Sequence, residues 1–211
     1  MIVSTGNLIG FGAVALGMAL TPGPNMIYLV SRSITQGRKA GLISLIGVVG
    51  AFVILALAAA LGFTALLVAV PFAYDAIRLA GAAYLLWLAW QSIRPGGMSP
   101  FRVRALRPDT PRRLVAMGFM TNMLNPKAVV LYLSLLPQFI DREAGHIFAQ
   151  SITLCAVQML MSATVNAGMV MAAGSISRFL SARPIWAVAQ RWLMATVLGG
   201  LAVRMALDAR R

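Results

Sequence analysis

Five acidic residues, one cysteine and one histidine are all that this chain of 211 residues holds of the groups that usually do chemistry in clusters. Cys155, being alone, can form neither an internal disulfide nor a dithiol relay, and with His146 as the only histidine no Cys/His metal cluster can assemble. Cys155 reads instead as a small buried apolar residue. The acids Asp75, Asp109, Asp141, Glu143 and Asp208 fall at or beyond the ends of the apolar runs, so no relay of buried carboxylates is visible. Asp75, at the outer end of one run, has Arg78 three residues on as an i, i+3 partner. H-E-x-x-H, a glycine-rich phosphate loop and a Ser/His/Asp set are also missing, which leaves metal-dependent hydrolysis, ATP use and triad catalysis without their groups. No catalytic residue, metal or cofactor is expected.

Charge of either sign is scarce, at 11% of residues against 60% hydrophobic. That balance, with a mean hydropathy of +0.83, is too apolar for a soluble domain and predicts an all-α integral membrane protein folded as a single domain over 1–211. The net charge of +13 would point to nucleic acid in a soluble chain. Here the cations lie between apolar runs, where membrane topology accounts for them, and no nucleic-acid partner is expected. The first 31 residues hold neither Lys nor Arg, so the basic region of a cleavable leader is missing and the first run is expected to stay in the protein.

Uncharged runs long enough to cross a bilayer occupy Ile2–Ser31, Ala40–Tyr74 and Ala144–Ser177. Three further spans are predicted at about 76–93, 114–140 and 184–207, giving six helices in two half-chains, about 1–93 and 114–211, joined by a basic loop at 94–113. Of the eighteen Lys and Arg, twelve fall on the side of the connections after spans one, three and five, and five on the other side. The positive-inside rule then places both termini in the periplasm. Trp87, Trp90, Trp186 and Trp192 fall at the ends of spans three and six that this orientation makes cytoplasmic, as interfacial anchors would. Three spans per half is an odd number, so any relation between the halves is inverted in the membrane.

Two of the spans carry breaks. Thr21-Pro22-Gly23-Pro24-Asn25 interrupts the first, because proline removes an N–H and clashes with the preceding turn, freeing backbone groups at a depth where lipid offers no partner. Asn125-Pro126-Lys127 interrupts the fourth, with thirteen uncharged residues on either side of Lys127. Thirteen residues of helix span about 20 Å, beyond a lysine's reach to the interface, and a mid-bilayer charge costs at least about 2.5–3.5 kcal/mol. Paired broken helices in corresponding positions of two halves are the pattern of a transporter site. A proline that merely bends a helix is the bland alternative at each break. Thr21, Pro22, Gly23, Pro24, Asn25, Asn122, Asn125, Pro126, Lys127 and Asn166 are the expected substrate contacts, with Lys127 and the helix start after Pro24 taking a carboxylate and free carbonyls with Asn25 and Asn125 taking an ammonium. Lys127 and Asp75 are the candidates for proton coupling. Ser134, Gln158, Ser162 and Thr164 add polar positions to spans four and five. Gly6, Gly10, Gly41, Gly47, Gly50, Gly81, Gly168, Gly199 and Gly200 permit close helix contacts, within the chain or across a dimer.

At these residues the chain resembles the lysine-exporter superfamily, in its homoserine/threonine-exporter branch. The resemblance rests on Thr21–Asn25 with Gly37-Arg38-Lys39-Ala40-Gly41, on Leu79-Ala80-Gly81-Ala82-Ala83-Tyr84-Leu85, and on Gly118-Phe119 through Asn125-Pro126-Lys127 to Leu136-Pro137-Gln138-Phe139. It implies six spans, a homodimer, and export of amino acids or close derivatives across the bacterial inner membrane, driven by protons. Many members carry an acid or histidine in the second span where this chain has Gly50-Ala51-Phe52-Val53, so the resemblance does not locate the proton-coupling residue. With no buried acid to offset Lys127, neutral amino acids are expected over lysine or arginine. The rival readings are a membrane-embedded enzyme using Lys127 as base or Schiff-base amine, and a non-transporting sensor or subunit.

Overall fold

The computed structural model describes the backbone of residues 2–21, 23–69, 73–94, 108–182 and 184–207; side chains are described for these except at 63–78, 92, 126, 176–187, 189–191, 193–194, 197 and 204–205. Among the described residues every regular element is helical. In order they are α1 (Thr5–Leu20), α2 (Pro24–Gln36), α3 (Arg38–Ala69), α4 (Ala73–Ile93), α5 (Pro111–Met123), α6 (Pro126–Val130), α7 (Ile147–Ala182) and α8 (Pro184–Leu207). A π-helical segment, Leu131–Leu135, and a 3-10 turn, Leu136–Phe139, continue α6.

Proline decides where several of these helices start. Pro24, Pro111 and Pro126 each stand in the first turn, where the missing N–H would have had no helical partner. Thr110 and Asn125 cap the last two of these helices by accepting from the backbone N–H of Arg113 and Lys127. The chain therefore bends by 53° between α1 and α2 and by 51° between α5 and the Lys127–Phe139 piece. Both breaks predicted from the sequence are present. The second bent pair is less regular than a simple kinked helix: Pro137 cannot donate to a carbonyl one turn back, and the ladder widens before it and tightens after it.

By length and apolarity two single helices of the described chain can cross a bilayer, Arg38–Gly62 and Ile147–Ser175, and each bent pair qualifies as one more span. α4 and α8, with 21 and 24 residues, are long enough for the hydrocarbon thickness and pack on each other. α3 packs on α2, α5 and α7, while α7 packs on both α1 and α2. The α3–α5 contact is made backbone to backbone. A Cβ on Gly47 would collide with the Val115 carbonyl, and one on Gly118 with the Ser44 carbonyl, so a side chain at either position would push the helices apart. Gly41 is similarly crowded by Val170 and Ser33, whereas Gly6, Gly168, Gly199 and Gly200 meet nothing within 4 Å.

The distribution of side chains is that of a chain solvated by lipid. Ile9, Ile46, Leu61 and Leu160 are each more than 60% exposed on the outside of the bundle, while Thr21, Asn25, Asn122, Asn125, Gln158 and Asn166 are buried within it. Trp87, Trp90 and Trp192 are exposed, with Arg94 stacked on Trp90 at the end of α4. The side chains of Trp186, Asp75 and Arg78, and most of the basic loop, lie outside the described residues.

Candidate functional site

The first break leaves the end of α1 without helical partners. Thr21 is extended, with its N–H and Oγ1 turned back to the carbonyls of Gly17 and Met18 at the last turn. Into this end comes the side chain of Lys127, whose Nζ donates to the carbonyl oxygens of Met18, at 2.8 Å, and Thr21, at 2.7 Å. A cation at a helix C-terminus also meets the negative end of the helix dipole. Gly23 makes the approach possible, since a Cβ there would stand 3.3 Å from Nζ and 3.4 Å from the carbon behind it. The two breaks are thus one structure, the lysine of the second capping the open end of the first.

A chain of amides runs beside it. The carbonyl of Val48 on α3 can only accept, so the Asn122 side chain presents its Nδ2 there, at 3.0 Å. Its Oδ1 is then turned to accept from Asn25 Nδ2, at 3.2 Å. This fixes the Asn25 amide as well, and its Oδ1 is left buried with no hydrogen-bond partner among the described residues. Asn125 uses Oδ1 to cap α6 and its own N–H to bond the carbonyl of Asn122.

α7 closes the far side with Gln158, Ser162 and Asn166, spaced four residues apart on one face. Gln158 Nε2 donates to Ser162 Oγ at 2.8 Å and Asn166 Nδ2 to the Ser162 carbonyl at 2.7 Å. Together these residues line a cavity of about 30 Å³, room for about one or two waters. Met18, Met26, Phe52 and Leu131 supply its apolar wall.

Of the residues expected from the sequence, Asn25, Asn122, Asn125, Lys127 and Asn166 line this one cavity, and Thr21 and Gly23 touch the lysine. Pro24 and Pro126 begin α2 and α6, Pro22 lies outside the described residues, and Asp75 lies in the first turn of α4 with its side chain outside them. The partners of Lys127 differ from expectation: it takes up two of the broken helix's carbonyls itself, rather than leaving them to a substrate ammonium. Gln158 and Ser162 earn more weight than their sequence gave them. Their i, i+4, i+8 register with Asn166 along one face of the helix was the available signal.

A second polar cluster, not anticipated, joins α2 to the start of α5. Arg32 forms an ion pair with Asp109, whose side chain is 7% exposed, and Arg113 Nε approaches the other carboxylate oxygen at 3.2 Å. Gln36 binds Asp109 twice, donating from Nε2 at 3.0 Å and accepting from the Asp109 N–H at 2.9 Å. The Gln36 hydrogen bond, helped by the charges of Arg32 and Arg113, holds the Asp109 carboxyl below the usual carboxylate range, against a contrary push from burial. Arg32 also lies over the Tyr28 ring, and the Tyr28 hydroxyl donates to the Leu114 carbonyl, so the clasp continues along the α2–α5 contact.

The sequence model of the family described as LysE type translocator matches residues 16–209. Among curated proteins, the leucine efflux protein of Enterobacter sp. (strain 638) is 28% identical over 193 residues, covering 91% of both chains. The leucine efflux protein of Klebsiella pneumoniae subsp. pneumoniae is 26% identical over 208 residues, covering 95% of this chain and 94% of its own. No solved structure matches.

Proposed function

Because the chain belongs to the LysE-type translocators and is a multi-pass membrane protein, we propose that it exports small neutral amino acids, leucine among them, across the bacterial inner membrane. The observation that carries this reading is the pairing, in one cavity at the junction of two broken spans, of the Lys127 ammonium with the unpartnered oxygen of Asn25. An amino-acid zwitterion needs a positive donor for its carboxylate and an acceptor for its ammonium. Lys127 spends two of its three N–H bonds on α1 and keeps one for a carboxylate; Asn25 Oδ1 accepts from the ammonium. Met18, Met26, Phe52 and Leu131 suit an aliphatic side chain. No carboxylate of the described residues lines the cavity, so a second cation on the substrate would meet repulsion from Lys127 with nothing there to offset it.

The six spans form two inverted repeats in this reading. Exchange of the halves takes the contact of α3 with α5 to that of α7 with α1 and α2, and returns α3 with α7 and α4 with α8 to themselves; these contacts support the symmetry, while the α2–α3 contact has no counterpart of similar extent. A cavity of about 30 Å³ is too small for an amino acid, so loading requires the halves to part, first on the cytoplasmic side and then on the periplasmic side. Lys127 is the residue through which protons drive the cycle, because its charge holds the end of α1. An enzymatic role is disfavoured by the same bonds: the amine is engaged by carbonyls and, among the described residues, has no base beside it.

The test is leucine efflux from vesicles reconstituted with Lys127→Ala and Asn25→Ala, with folding checked by gel filtration and circular dichroism. Each substitution removes a hydrogen bond to a charged group and should lower efflux about tenfold or more. A folded Lys127→Ala that exports leucine at the unmutated rate, with unchanged pH dependence, would overturn the mechanism.

A further inference from the structure

Tyr132 stands on the π-helical turn and is 2% exposed, yet its side chain reaches α7 rather than the cavity. Its hydroxyl donates to Gln158 Oε1. Buried as it is, the phenol needs an acceptor for its proton, and this oxygen is the one the described residues supply. The bond therefore fixes the Gln158 amide with its oxygen toward Tyr132 and its nitrogen toward Ser162. One Nε2 hydrogen goes to Ser162 Oγ. Ser162 is thereby made an acceptor in that bond, and its own proton is left to donate.

The outcome is a wall with two hydrogens to give, one from the Gln158 amide and one from the Ser162 hydroxyl, neither with a protein acceptor among the described residues. Across the same cavity stands the orphan acceptor of Asn25. We propose that Gln158 and Ser162 bind the carboxylate of the transported amino acid alongside Lys127, and that Tyr132 is a positioning residue that keeps the Gln158 amide turned to donate. This rests on the reading of the cavity as an amino-acid site, and it adds a direction: the substrate lies with its carboxylate toward α7 and its ammonium toward α2. A carboxylate accepts at two oxygens, which leaves room for the lysine and the α7 pair together. The π turn has a part in this, since widening the helix after Lys127 changes which residues point at α7, and such turns recur at functional sites.

Leucine and leucinamide separate the two ends of the substrate, because the amide keeps the ammonium and replaces the carboxylate by a group that both donates and accepts. Counterflow is measured for both in vesicles carrying the unmutated protein, Tyr132→Phe and Gln158→Glu. With the phenol proton gone the Gln158 amide is free to rotate, so in Tyr132→Phe the KM for leucine should rise about threefold to tenfold, by more than kcat falls, and the preference for leucine over leucinamide should shrink. A merely structural role would impair both substrates alike. Gln158→Glu keeps the side-chain shape but faces the substrate carboxylate with its own charge, and should shift the preference toward leucinamide. Leucine counterflow by the unmutated protein tests the functional reading in the same vesicles. With that counterflow intact, an unchanged leucine-to-leucinamide ratio in either variant overturns the assignment of the carboxylate to α7.

Discussion

Among the described residues Arg32, 8% exposed, has Asp109 as its one oppositely charged partner, and its Nε is buried with no hydrogen-bond partner. Removing the aspartate charge would leave a buried guanidinium uncompensated, so Asp109→Asn should lower the thermal midpoint of the purified protein at pH 7. The pH dependence has a definite sign. Asp109 has its folded-state pKa depressed, so its contribution is complete above the unfolded value, near 3.9, and is lost as pH falls through the lower folded value. Melting curves should therefore separate the unmutated protein from Asp109→Asn equally at pH 7 and pH 5, and converge below about pH 4. Equal midpoints at pH 7 would show that the clasp does not hold α2 to α5. Residues differ in how far they announce themselves. Lys127 and Asn25 stand out in the sequence because an ionisable group in mid-span and a proline break are local anomalies. The Arg32–Asp109 pair joins residues 77 positions apart, and nothing local in either residue reports it. Tyr132 is silent for the same reason, as its meaning comes from the amide it touches on another helix.

Helices were legible where composition determines them and less so where a proline reshapes the backbone. The uncharged runs gave α3 and α7, and the two proline motifs gave the breaks that open α2 and α6, because each of those features acts within one or two turns. The π turn at Leu131–Leu135 was not legible, since it depends on how Pro137 is accommodated once Lys127 and Asn125 have fixed the start of the segment. Gly47 and Gly118 were visible as small residues, but only the fold pairs them across the α3–α5 crossing. The connections between helices carry the orientation. Twelve of eighteen cations sort to the side of the connections after spans one, three and five, so both termini are expected in the periplasm. A cysteine added after Arg211, with Cys155 replaced by Ala, should react with an impermeant maleimide in intact spheroplasts. Protection there, with labelling after lysis, would reverse the topology.

At the scale of the whole molecule, the cavity lies between two closures. On one side Arg32, Gln36 and Asp109 tie α2 to α5. On the other, Asn7 Nδ2 donates to the Phe139 carbonyl at 3.0 Å and Phe11 packs edge-on to the Phe139 ring, tying α1 to the 3-10 turn. The first closure joins the first half to the loop that leads into α5, the second joins the two halves directly, and Lys127 bridges the halves between them. In the proposed cycle, alternating access releases one tie while keeping the other, with the substrate held where the two breaks meet. Ala19 lines that cavity and is distant in sequence from every residue assigned to the substrate's carboxylate on α7. In the Cys155→Ala background, Ala19→Cys gives a single thiol whose alkylation rate reports occupancy of the cavity in vesicles. Saturating leucine should slow that alkylation several-fold while arginine at the same concentration leaves it unchanged. Alkylation at the same rate with and without leucine, in a variant that still exports it, would contradict a transport site at the junction of the two broken helices.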